Sequence, residues 1–106
     1  MLHKVQLINL KKLYLTSNKL LLLPAVISKL INLNVLCLSN NNISIFPFEI
    51  INLSNLKELS LFGNNLSTLP FEILNLTNLK KLELSDNHLS LLSLDMKNLI
   101  NLYFEC

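Results

Sequence analysis

The leucines of this 106-residue chain recur with a period of 23 residues. The same phase is marked by Leu10, Leu33, Leu56, Leu79 and Leu102. Further leucines follow the first four of these at three and five positions, and an asparagine follows at eight positions. A fixed period of this length indicates a stack of similar structural units, each of which packs against its neighbours.

The first part of each unit predicts a short strand and a turn. In the segment LKELSL at 56–61, Leu59 and Leu61 alternate with polar residues, so one face of the strand is buried. Strands of successive units are expected to pair in parallel, about 4.8 Å apart. An asparagine follows each strand, where its amide can bond the backbone of its own turn and the next. These predicted ladder residues are Asn18, Asn41, Asn64 and Asn87.

The second part of each unit predicts a short helical return. In LPFEIL at 69–74, Pro70 is expected at the first helical position, with Glu72 near the positive end of the turn. Ile73 and Leu76 are three residues apart, as one face of a short helical or 3₁₀ segment requires. One unit cannot bury its apolar face alone, so the units must stack.

This pattern resembles the leucine-rich-repeat family. The resemblance rests on the LxxLxLxxNxL block at 10–20, 33–43, 56–66 and 79–89, and on the LPxxI continuation at 23–27, 46–50 and 69–73. It implies an α/β fold, a right-handed horseshoe-shaped solenoid. A concave parallel sheet is expected on one side and short helical or 3₁₀ segments on the convex side. The family most often binds proteins.

The repeat divides the chain into one domain, 1–106. Its predicted parts are a partial unit at 1–9, units at 10–32, 33–55, 56–78 and 79–101, and a partial unit at 102–106. Glu105 falls where the first inward leucine of the last strand belongs, which leaves that strand's register open. No capping segment is recognised, so we expect self-association or a longer parent array. The apolar residues expected at the two ends are Leu2, Val5, Leu7, Leu99, Leu102 and Phe104.

Composition and motif spacing argue against several functions. All nine basic residues are lysines and the net charge is +2, which argues against a nucleic-acid partner. No apolar run is long enough to span a membrane. His3 and His88 lie far apart in the repeat, and no zinc-ligand spacing or nucleophile–histidine pair occurs. We therefore expect no enzymatic activity, no metal and no cofactor.

The cysteine content and the apolar segment at 20–30 bear on location. Cys37 and Cys106 are too few for a disulfide framework. On the repeat they lie three units apart, about 14 Å, which is too far for a disulfide. The segment at 20–30 is similar to the core of a signal peptide, but the repeat explains the same residues. Cytoplasmic location is favoured, and secretion stays open.

The concave face is the predicted binding site. Outward strand residues occur two, four and six positions after each first leucine. Aromatic residues are enriched at binding hot spots, which selects Tyr14 and Phe62 on this face. The full predicted partner-binding set is Tyr14, Val35, Cys37, Phe62, Lys81 and Glu83. Phe48 and Phe71, which directly follow a proline, offer an alternative site on the convex side.

The predicted function is therefore a protein–protein interaction module that binds its partner on the concave face. Three alternatives remain open at this point. The chain could be a self-associating piece of a longer array, a non-catalytic regulator of a signalling enzyme, or a secreted effector or adhesin. The fold alone does not select among these, because function depends on the site.

Overall fold

The computed structural model describes residues 8–89 and the backbone of a strand at 103–105. Short strands and 3₁₀ helices alternate along most of this part of the chain. The strands are β1 Lys12–Tyr14, β2 Val35–Cys37, β3 Glu58–Ser60, β4 Lys81–Glu83 and β5 Tyr103–Glu105. The 3₁₀ helices are η1 Ala25–Lys29, η2 Phe48–Asn52 and η3 Phe71–Asn75.

The strands form one sheet in the order β1-β2-β3-β4-β5, and every pair is parallel. Lys12 pairs with Val35, Val35 with Glu58 and Glu58 with Lys81, so each step from β1 to β4 is 23 residues. The 3₁₀ helices return the chain between the first four strands. This arrangement confirms the predicted solenoid with one parallel sheet and short helical returns.

The last strand departs from the 23-residue period by one residue. Leu82 of β4 pairs with Phe104, and Glu83 pairs with Glu105. A shift of one residue exchanges the two faces of a strand. The apolar residue Phe104 therefore pairs with the buried Leu82. An unbroken 23-residue period would have paired Glu105 with Leu82 instead. This answers the question that the sequence left open about the register of β5.

The hydrophobic core fills the space between the sheet and the 3₁₀ helices. It is built from the repeated leucine and isoleucine positions, and the central units contribute the most completely buried side chains. These include Leu36, Leu59 and Leu82 from the strands and Ile50 and Ile73 from the 3₁₀ helices. Burying each such side chain is worth about 1.5–3 kcal/mol, so the stacked leucines are the main source of stability.

The prolines precede the 3₁₀ helices by one position, which corrects the prediction that they begin them. Pro24, Pro47 and Pro70 are the N-cap residues and have extended backbones, with ψ of 139°, 110° and 153°. The carbonyl of an N-cap residue already accepts the first helical hydrogen bond. The Pro24 carbonyl accepts the N–H of Ile27 at 3.0 Å in this way. Proline, which lacks an N–H, loses nothing at this position.

The apolar residues predicted at the ends fall outside the described part of the chain. Leu2, Val5, Leu7, Leu99 and Leu102 are not among the described residues, and for Phe104 only the backbone is described. Self-association through the ends therefore stays a prediction. No helix in the described residues has the length and apolar character needed to cross a membrane.

Candidate protein-binding face

Asn41 shows how the asparagine ladder fixes the turn behind each strand. Its side-chain oxygen accepts the N–H groups of Asn18 at 2.9 Å and Leu20 at 3.0 Å, both in the preceding unit. Its amide group donates to the carbonyls of Leu15 at 2.9 Å and Leu38 at 3.0 Å. Asn41 is buried, so these bonds satisfy backbone groups that water does not reach.

The ladder repeats toward the C-terminal end and is incomplete at the N-terminal end. Asn64 is buried and donates to the Leu38 carbonyl of the preceding unit at 2.9 Å. Asn87 donates to the Leu61 carbonyl in the same way at 2.8 Å. The Asn18 side chain is exposed, and within the described residues its amide donates only to Thr16 of its own unit. The ladder therefore ties the units that begin at residues 33, 56 and 79 each to the unit before it.

The residue before each ladder asparagine has a left-handed backbone, a feature that the sequence reading missed. Ser17, Asn40, Gly63 and Asp86 have φ values of 58°, 57°, 71° and 57°. This conformation favours glycine and, after it, asparagine and aspartate. Three of the four positions carry those residue types, and that composition is the signal from which the turn could have been found.

A second row of asparagines bonds the opposite turn, where the 3₁₀ helix leads back to the sheet. The side-chain amides of Asn32, Asn55 and Asn78 donate to the carbonyls of Ile8, Ile31 and Ser54, each at 2.8 Å. The sequence shows these asparagines at a constant phase, but their role was not predicted. The two rows hold both ends of each strand and so fix the positions of its outward side chains.

A groove of about 210 Å³ lies on the outward face of β1 to β4. Five of the six predicted partner-binding residues line it: Tyr14, Val35, Cys37, Lys81 and Glu83. Ser39, Glu58 and Ser60 also line the groove, although they were not in the predicted set. These three residues belong to the same outward rows of the repeat, so the sequence pattern could have identified them as groove residues.

Phe62 does not line this groove with the other five residues. It follows β3, in the turn before the ladder residue Asn64, and its side chain is half-buried. Its carbonyl accepts the Asn40 N–H at 2.7 Å, which fixes the backbone in the turn. The continuous apolar patch expected from Tyr14 to Phe62 therefore stays a prediction.

The floor of the groove is polar around Cys37. Its sulfur shares a hydrogen bond with Ser39 Oγ at 3.1 Å and another with Thr16 Oγ1 at 3.5 Å. Burial raises the pKa of the Cys37 thiol, but the hydrogen bonds from Ser39, Thr16 and Ser60 outweigh it, so the pKa lies below its ordinary value. Cys37 is a free thiol that hydroxyls surround on the outward face of the sheet.

The polar contacts continue from Ser39 to Lys81 across the strands. Ser39 Oγ and Ser60 Oγ share a hydrogen bond of 2.9 Å, and the Ser60 hydroxyl donates to Glu83 Oε2 at 3.4 Å. Glu83 Oε1 forms an ion pair with Lys81 Nζ at 3.3 Å. The groove floor is thus already hydrogen-bonded within the protein, which holds its side chains in place before any partner arrives.

Aromatic side chains are exposed on both faces. Tyr14 at the edge of the groove is 62% exposed, and Phe71 on the convex side is 63% exposed. Phe48 lies one unit before Phe71 and packs edge-on against Phe46, with ring centroids 6.5 Å apart. Exposure alone therefore does not select one face. Among residues 8–89, no three histidine, cysteine, aspartate or glutamate side chains form a group suited to a metal ion.

Comparison with known proteins identifies the class. A leucine-rich-repeat family model matches residues 8–66, and a second leucine-rich-repeat model matches residues 78–102. The chain belongs to the leucine-rich-repeat family. Members of this family generally mediate protein–protein interactions and are typically non-catalytic. No curated protein in the comparison matches the chain.

Solved structures support the same fold. The leucine-rich-repeat protein LIC12759 of Leptospira interrogans is 38% identical to the chain, with a TM-score of 0.79 over 92% of the chain. An internalin of Listeria monocytogenes is 22% identical, with a TM-score of 0.68 over 93% of the chain. The chain matches only 26% and 35% of the lengths of these two proteins.

Proposed function

We propose that this chain binds a protein partner in the groove on the outward face of β1 to β4. The observation that carries the proposal is the position of Tyr14, which is largely exposed and lines the groove. Tyrosine is enriched among the residues that dominate protein–protein binding energy. Its phenol gives a partner both apolar area and a hydrogen-bonding hydroxyl.

The rigidity of the groove supports the same role. The carbonyl of Cys37 holds the N–H of Leu15 at 2.8 Å, and ladder bonds hold the turn behind β1. Ser39, Ser60 and Glu83 already bond one another in the floor. A partner that binds here therefore orders few side chains, which lowers the entropic cost of association.

The groove also offers contacts of different kinds in a small area. Val35 gives an apolar contact near Tyr14, and Glu58 presents an exposed carboxylate. Within the described residues the only ion pair joins Lys81 to Glu83, so Glu58 has no salt-bridge partner there. A partner segment with one apolar and one basic side chain would complement this part of the surface.

Photo-crosslinking from single positions tests the proposal. We would place a benzophenone amino acid at Glu58 in the groove and, as a matched control, at Phe71 on the convex side. Each protein would be illuminated in a lysate of the native host, and adducts would be identified by mass spectrometry. We expect a discrete adduct from position 58 that unlabelled protein competes away, and none from position 71. The opposite pattern would move the site to the Phe48–Phe71 row.

The purified partner then allows a quantitative test. Tyr14→Ala should weaken binding by about 2 kcal/mol, or roughly 30-fold in Kd. Phe71→Ala should leave the Kd within about twofold. Equal affinity of the Tyr14→Ala variant and the unaltered protein would refute the groove as the site. A signalling enzyme or another copy of the chain would be recognised directly by this capture.

A further inference from the structure

A row of lysines runs along the edge of the sheet where the strands begin. Backbone hydrogen bonds connect this row from strand to strand. The Asn34 N–H donates to the Lys11 carbonyl at 2.7 Å, the Lys57 N–H to the Asn34 carbonyl at 2.8 Å, and the Lys80 N–H to the Lys57 carbonyl at 2.7 Å. Lys11, Lys57 and Lys80 thus occupy one position on successive turns, with Asn34 between the first two. Lys12 follows Lys11 at the start of β1. We call Lys11, Lys12, Lys57 and Lys80 the lysine edge.

The charges of the lysine edge are exposed and uncompensated. All four side chains are exposed. In the described part of the chain the only ion pair is between Lys81 and Glu83, so none of the four has a carboxylate partner there. The carboxylates nearest in the register, Glu58 and Glu83, line the groove. Four positive charges therefore face solvent together at one edge.

The spacing along this edge matches one kind of partner. Neighbouring strands lie about 4.8 Å apart, so the four row positions from Lys11 to Lys80 fall about 4.8 Å apart in succession. Residues on one face of an α-helix recur every turn, about 5.4 Å, with side chains three or four positions apart as neighbours. An extended peptide places same-side residues about 6.7 Å apart, which fits the row less well.

We propose that the lysine edge docks an acidic α-helix of a protein partner, with about one carboxylate per turn along the face that meets the row. In this arrangement Lys57 and Lys80 pair with carboxylates on adjacent turns of the partner helix. Lys11 pairs with a carboxylate two turns away from the one that Lys57 contacts. The Asn34 amide lies opposite the turn between them. None of the four lysines lines the groove, so the inference does not depend on the proposed function.

Lysine chemistry favours carboxylates on a protein over a nucleic acid. The chain has no arginine, and arginine is the side chain whose planar fork binds phosphate with two hydrogen bonds. Lysine acts as a point charge, which suits single carboxylates at separate positions.

Binding of a defined peptide tests the inference. The probe is a fluorescein-labelled synthetic helix of about six turns with glutamates at successive i, i+3 and i+4 positions on one face. Binding is measured by fluorescence anisotropy to the full chain at low salt, where ion pairs are least screened. We expect Lys57→Gln/Lys80→Gln to weaken binding about tenfold, because two solvent-exposed ion pairs with the peptide are lost. Lys19→Gln/Lys29→Gln, with the same loss of charge away from the edge, should change the affinity by less than about twofold.

Four outcomes would overturn the inference. Equal weakening of both double variants would show attraction to net charge only. Equal affinity for a helix of the same composition, with its glutamates distributed around all faces, would show that the spacing of the lysines does not contribute to binding. Tighter binding of single-stranded DNA than of the acidic helix would assign the edge to a different class of partner. Tyr14→Ala should leave peptide binding unchanged, and a loss there would place the peptide in the groove.

Discussion

The N-terminal unit at 10–32 and the central units at 33–78 carry the same consensus but differ in how completely it is buried. Leu36 and Leu59 are fully buried in the central units, whereas Leu13, at the same position in the N-terminal unit, is only partly buried. Leu10 is likewise only partly buried, whereas Leu33, at the same position in the next unit, is fully buried. The consensus fixes which residues point inward, but the neighbouring units supply the burial.

The outer surfaces of the two regions differ in composition as well. Leu21 and Leu22 in the N-terminal unit are 67% and 74% exposed. The equivalent residues in the next unit are Ser44 and Ile45, and the following unit has serine and threonine there. The repeat constrains the inward positions and leaves these outward positions free to vary, so individual function must be sought in the outward rows.

The largest test of this comparison is a core truncation in each region. Leu59→Ala should lower the free energy of unfolding by about 2–5 kcal/mol, because it leaves a cavity among fully buried neighbours. Leu13→Ala should cost roughly half as much, because its side chain already contacts solvent in part. Denaturant unfolding at equal protein concentration measures both, and equal losses would contradict the difference in burial.

Removing ladder asparagines should give the next largest difference. Asn41→Ala and Asn64→Ala should each destabilise by about 1–3 kcal/mol, because buried backbone groups lose their partners. Asn18→Ala should cost less than about 0.5 kcal/mol, since its side chain is exposed and, within residues 8–89, bonds only its own turn. Asn42→Ala and Asn65→Ala, one position later and exposed, are the controls and should also stay within about 0.5 kcal/mol. Losses at Asn42 as large as at Asn41 would refute the ladder.

The repeat made most of the fold predictable. The strand positions, the parallel pairing and the 3₁₀ returns all follow from a period that places apolar residues inward. The register of β5 was not predictable from the period, because pairing shifted by one residue to give Phe104 the register of Leu82.

The candidate site was predictable only in part. The outward rows named five groove-lining residues, because the strand period fixes which face each residue occupies. Phe62 does not line the groove, although Ser39, at the same position of the preceding unit, does, so its part in binding stays a prediction. The hydroxyl and thiol contacts between Ser39, Ser60 and Cys37 depend on side-chain rotamers, which the sequence pattern does not encode.

Substitutions at the residue with the left-handed backbone should change the free energy of unfolding by smaller amounts. The sign of the change should be opposite in the N-terminal unit and the central units. Gly63→Ala should destabilise by about 1–2 kcal/mol, because φ is 71° and the new methyl group would meet Asn40 Oδ1. Ser17→Gly should stabilise by about 0.5 kcal/mol, because relief of the left-handed strain exceeds the added entropy of the unfolded chain. Ser28→Gly, in η1, should destabilise instead and controls for a general effect of glycine. Thermal unfolding of the three variants measures these shifts, and a stabilising Gly63→Ala would refute the turn geometry.

The smallest expected effect compares the hydrogen bonds that Cys37 receives from the two regions. Ser39, in the same central unit, lies 3.1 Å from the sulfur, and Thr16 of the N-terminal unit lies 3.5 Å away. In a Cys106→Ser background, Ser39→Ala should raise the pKa of the Cys37 thiol more than Thr16→Val does. The rate of iodoacetamide alkylation against pH measures this, because the thiolate is the reactive form.

The same pKa predicts how stability depends on pH. The pKa of Cys37 is lower in the folded chain than its ordinary value of 9.0. Ionisation therefore favours the folded state fully above the unfolded pKa, and this contribution is lost as the pH falls through the folded pKa. The free energy of unfolding of this protein should therefore vary with pH differently from that of a Cys37→Ser control. Ser39→Ala should make this difference smaller.

The alkylation experiment has one outcome that would contradict the expected order. If Thr16→Val shifts the alkylation profile more than Ser39→Ala does, the hydrogen bond to the N-terminal unit is the stronger one.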